Sequence, residues 1–69
     1  MTPAQFIAWQ AHMGLTVRAA AELLGVSAAA VGDWRRGTSR TTGRPIKLPP
    51  LLPLTCAALA AGLRPWGDS

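Results

Sequence analysis

Within Val17–Trp34, VRAAAELLGVSAAAVGDW, only the turn Leu24-Gly25-Val26 separates two helical patterns, and that spacing leaves the chain few ways to fold. Ala20, Ala21 and Leu24 stand at i, i+1 and i+4, a narrow apolar face whose two alanines let a second helix cross closely. Gly25 tolerates positive φ, so the first helix of the pair stops there and the chain turns sharply. Ser27 is a good N-cap for the next helix, and Val31 and Trp34 carry that helix's apolar stripe. Two helices joined through a tight Gly-containing turn form a helix-turn-helix unit.

The residues of this unit resemble the Cro/CI-type helix-turn-helix family of phage and bacterial repressors. The points of likeness are Ala21, Gly25, Val31 and Trp34, with Gly14-Leu15-Thr16 before the pair and Arg35-Arg36-Gly37 after it. The likeness covers Thr2 to Gly37 well and the C-terminal third loosely. It implies an all-α fold, a compact four- to five-helix, lambda-repressor-like DNA-binding domain. It also implies that the helix Ser27–Arg36 is a recognition helix and that the partner is double-stranded DNA. The resemblance also suggests repression of a nearby promoter, and a homodimer on a palindromic operator is expected because a single weak recognition face discriminates little.

Sixty-nine residues allow one domain, 1–69, divided into a helix-turn-helix at 17–36, a basic loop at 37–47, and a C-terminal helix at about 50–61 with a tail. A chain this short buries only about 60% of its unfolded surface, which favours self-association. The net charge of +4 is unevenly placed, since Arg35, Arg36, Arg40, Arg44 and Lys47 fall within 13 positions. A basic segment at the end of a recognition helix is the footprint of a polyanion binder. One histidine, one cysteine and three scattered acids supply no triad, metal cluster or carboxylate pair, so neither an enzyme nor a cofactor is expected. Cys56 has no disulfide partner and reads as a small buried thiol. The apolar run Leu48–Leu63 is interrupted by Pro49, Pro50 and Pro53, which argues against a membrane span. With no secretory leader read at the N-terminus, the expected location is the cytoplasm of a bacterial or phage-infected cell.

In chain order, Thr2-Pro3-Ala4-Gln5 is a capping box that opens a helix running to Met13, with Phe6, Trp9 and Met13 turned inward and Gly14 as its stop. His12 is expected on the surface. Thr16 caps the next helix, whose first N–H groups suit a phosphate, with Arg18 adding charge or pairing with Glu22. Val17 stands where family members often carry a phosphate-binding Gln. The outward positions of the recognition helix are Ser27, Ala28, Ala29, Gly32, Asp33 and Arg36, with Arg35 beside them. Family members often place Gln, Arg, Lys or Asn on that face. Here Ala28 and Ala29 suit thymine methyl groups, Asp33 suits a cytosine amine or a pair with Arg36, and Arg36 suits either guanine or the backbone. Arg40, Thr41 and Arg44 in TSRTTGR are read as backbone contacts from a flexible loop.

The last helix has two apolar faces, Leu51, Leu54, Thr55 and Ala58 on one and Leu52, Cys56, Leu59 and Leu63 on the other. One face is expected to pack the chain's own core and the other a second copy, with the dimer contact placed at Leu52, Cys56, Leu59, Leu63 and Trp66. The tail from Leu63 to Trp66 either folds back on the first helix or crosses to the partner. An alternative function is a protein-interaction module, an antitoxin or phage inhibitor, since the alanine-rich recognition helix is smooth enough to pack against protein.

Overall fold

Thr2 opens the first helix, α1 (Pro3–Met13), through the expected capping box: its hydroxyl accepts from Gln5 N at 3.2 Å, and its own N–H donates to Gln5 Oε1 at 2.8 Å. This is a computed structural model describing residues 1–67; Asp68 and Ser69, the end of the expected 1–69 domain, lie outside the described residues. Thr16 and Ser27 begin the next two helices, α2 (Val17–Leu24) and α3 (Ala28–Arg36), each with its hydroxyl accepting the backbone N–H three residues on. The last helix, α4 (Leu52–Ala60), has no side-chain cap and starts on Pro53 in its first turn. Four helices and one isolated bridge, Thr38–Pro45, make up the regular structure of the described residues.

Two of the helix stops depend on glycine in different ways. Gly25 ends α2 at φ 71°, with open space where a side chain would stand. Gly37 ends α3 at φ 76°, and a Cβ there would lie 2.9 Å from Pro3 Cγ, because the end of α3 presses on the start of α1.

The core is built on α1 and α3. Phe6 is completely buried, 5.6 Å from the rings of both Trp9 and Trp34, stacked on the first and edge-on to the second. Ala20 and Ala21 of α2 and Val31 of α3 close this cluster, and the two small alanines let α2 and α3 pack face to face. The α4 helix adds Leu52 and Cys56, one turn apart, and the indole N–H of Trp9 donates to Cys56 O at 3.0 Å. A buried indole needs such an acceptor, and this bond ties the Cys56 face of α4 to α1.

That orientation corrects the expected dimer contact. Leu52 is 5% exposed and Cys56 1%, and Leu59 packs against the same cluster, so these three belong to the chain's own core. The face left outside carries Leu51 and Leu54, 69% and 68% exposed. Leu63 and Trp66 are also exposed, and the tail does not fold back on α1. No helix of the described residues is long and apolar enough to cross a membrane.

Candidate nucleic-acid interface

With Val31 and Trp34 buried, α3 turns Ser27, Ala28, Ala29 and Arg36 to solvent, while Gly32 and Asp33 are half-buried. Positions 28, 29, 32, 33 and 36 fall on one side of a 3.6-residue helix, so they form a continuous strip. The strip is low along its length, because two alanines and a glycine carry almost no side chain. Ser27 closes its N-terminal end, with Oγ accepting from Ala30 N at 3.1 Å.

At the other end, Asp33 Oδ1 accepts from the Arg36 guanidinium and from the backbone N–H of Arg40, the latter at 3.1 Å. The expected Asp33–Arg36 pair therefore forms, and the same carboxylate oxygen anchors the loop that follows.

The segment 38–45 is not the flexible loop the sequence suggests. It is closed by Ser39 N donating to Arg44 O at 2.8 Å and Ile46 N to Gly37 O at 3.0 Å. Inside it, Gly43 N donates to Ser39 O at 2.7 Å, and Ser39 Oγ accepts from the N–H groups of Thr41 and Thr42. The hydroxyls of Ser39 and Thr42 thus serve to hold the turn. Arg40, Thr41 and Arg44 remain exposed on this hydrogen-bonded turn.

Arg35 does not join them. Its guanidinium donates to Gln10 Oε1, and the Gln10 amide donates from Nε2 to Leu15 O at 2.9 Å. Gln10 is a buried polar side chain whose two ends tie α3 and the α1–α2 turn to α1. Arg35 is thereby a half-buried structural residue. Sequence reasoning missed Gln10; its only signal is a polar residue one position after Trp9, on the edge of the apolar stripe. Thr16 and Arg18 are exposed at the start of α2, where the first N–H groups have no acceptor within the helix. His12 is exposed, and no cluster of three metal-ligating side chains occurs among the described residues.

A shallow apolar groove of about 180 Å³ lies apart from this strip, between α2, α3 and α4, lined by Leu24, Val26, Trp34, Leu51 and Leu52. Comparison with known proteins finds no matching family model, no similar curated protein and no similar solved structure.

Proposed function

We propose that this chain is a sequence-specific DNA-binding regulator of the Cro/CI type, acting as a homodimeric repressor on an inverted repeat. The observation that carries the reading is the α2–Gly25–α3 unit with its exposed, low strip on α3, flanked by Arg40 and Arg44 on the hydrogen-bonded 38–45 turn. A helix that enters the major groove needs an unobstructed face, and Ala28, Ala29 and Gly32 obstruct nothing. Arg40, Thr41 and Arg44 then meet phosphates beside the groove, and the start of α2 at Thr16 and Arg18 meets the backbone on the other side.

A monomer with so few hydrogen-bonding groups on its strip discriminates little between sequences, which favours two copies on a palindrome. Leu51 just before α4 and Leu54 on it, with Leu63 and Trp66, are the exposed apolar residues offered to the second copy. Such a regulator works in the cytoplasm of a bacterial or phage-infected cell. The second reading, a protein-interaction module such as an antitoxin, is favoured by one observation, the nearly featureless Ala28-Ala29-Gly32 strip.

Salt dependence separates the two readings. DNA binding through phosphates weakens steeply as salt rises, and replacing Arg40 or Arg44 by Ala flattens the log–log slope by about one for each phosphate left unneutralised. Duplex from upstream of the chain's own gene, titrated by fluorescence anisotropy at several salt concentrations, is the direct experiment. Absence of duplex binding at low salt hands the strip to a protein partner.

A further inference from the structure

On a strip otherwise nearly devoid of hydrogen-bonding side chains, the placement of one guanidinium is informative. We infer that Arg36, laid over Gly32 and held there by Asp33, is the specificity-determining residue of this surface, recognising one guanine in each half-site. The inference rests on the DNA-binding reading and goes further by assigning the base and the device that selects it.

Helical side chains lean toward the N-terminus of their helix, so residue 36 overlies residue 32. Arg36 Nη1 lies 3.2 Å from where a Cβ on Gly32 would stand, closer than such contacts ordinarily come. The guanidinium therefore rests over Gly32, one turn N-terminal to its own Cα in the last turn of α3. The Asp33 pair and the lean of the side chain together hold the guanidinium on the exposed strip rather than beyond the helix end. The glycine is explained by the same contact: it weakens the helix relative to alanine, and it leaves the space the guanidinium uses.

Asp33 acts as a positioning residue. Its Oδ1 accepts from Arg36 Nη2 and is itself held by Arg40 N–H, so the loop, the carboxylate and the guanidinium form one connected support. An arginine already held in place loses less rotamer freedom on binding. Guanine presents O6 and N7 side by side as acceptors, which two N–H groups of one guanidinium match. Adenine presents a donor beside N7 and opposes the same group. Ala28 and Ala29 offer no competing hydrogen bond, and Ser27 is engaged with Ala30 N at the strip's far end.

The test selects duplexes from a random pool with the wild-type protein, then measures affinity and salt dependence for each variant. The expected wild-type sites carry an invariant guanine at one position per half-site. Arg36→Ala then loses between about 5- and 150-fold on that sequence and little on duplexes with another base there. Asp33→Asn keeps an acceptor for Arg40 N–H while removing the charge, and lowers the preference for guanine several-fold with an unchanged salt slope. Gly32→Ala also lowers that preference while raising Tm, a combination that a purely structural role does not produce. Equal loss by Arg36→Ala on every duplex, with the salt slope reduced by about one, makes Arg36 a phosphate contact and overturns the inference while DNA binding stands. A wild-type protein with no salt-dependent duplex binding overturns the functional reading itself.

Discussion

Gln10 and Cys56 show how much a single buried group decides in a chain of this size. The Gln10 amide is 6% exposed, and its two ends satisfy Leu15 O and the Arg35 guanidinium. Gln10→Leu keeps the volume and strands both partners, so a loss of about 1–3 kcal/mol is expected in urea or thermal unfolding. The reverse change, Arg35→Met, leaves only the amide oxygen without its partner and costs less. Cys56 presents a different test. Burial pushes its thiol pKa above the ordinary value, so the folded state holds the proton more tightly than the unfolded chain does. The resulting contribution to stability is whole below the ordinary thiol range and is lost as pH rises through the folded value. Unfolding midpoints should therefore fall on the alkaline side, and Cys56→Ala should remove that part of the fall.

At the scale of the elements, the helix ends are local and the helix contacts are not. Gly25 and Gly37 both hold positive φ, and the two differ in surroundings. Gly25→Ala meets no atom and carries only the backbone cost, about 1–2 kcal/mol. Gly37→Ala adds the clash with Pro3 Cγ and must shift α1 against α3, so its destabilisation should be the larger of the two. Equal Tm losses for the pair would mean that the α1–α3 contact yields freely. The link between α1 and α4 is similarly specific, since Trp9 gives α4 both a ring to pack on and a hydrogen bond to Cys56 O.

Over the whole molecule, charge is unevenly distributed along the chain. Leu48 to Leu63 contains no charged residue, while Arg36, Arg40, Arg44 and Lys47 lie just before it in the chain. Two copies that meet through α4 itself bring no charged side chain of that helix together, whereas a meeting through the 38–45 turns opposes like charges. Leu54 is 68% exposed and outside the core, so Leu54→Glu should leave the monomer folded and weaken self-association. Sedimentation with circular dichroism checks both halves of that expectation. Unchanged sedimentation would remove α4 from the contact, and loss of helicity would mean that Leu54 supports the fold.

The caps were legible in the residues themselves. Thr2, Thr16 and Ser27 start helices and Gly14, Gly25 and Gly37 stop them because each acts on backbone groups within a few positions of itself. Phe6, Trp9, Val31 and Trp34 were legible for the same reason, since helical periodicity alone groups them on inward faces. The inward face of α4 was not legible, because leucine, alanine and cysteine surround that helix and periodicity favours no side. It is the face of Leu52 and Cys56 that packs on the core, where the indole of Trp9, 47 positions away in sequence, donates to Cys56 O. Gln10 with Arg35, and Asp33 with Arg36 and Arg40, were likewise settled by what folding brought within reach. Local chemistry determines where helices begin and end, and only the packed chain determines which polar groups find each other and which apolar face remains outside.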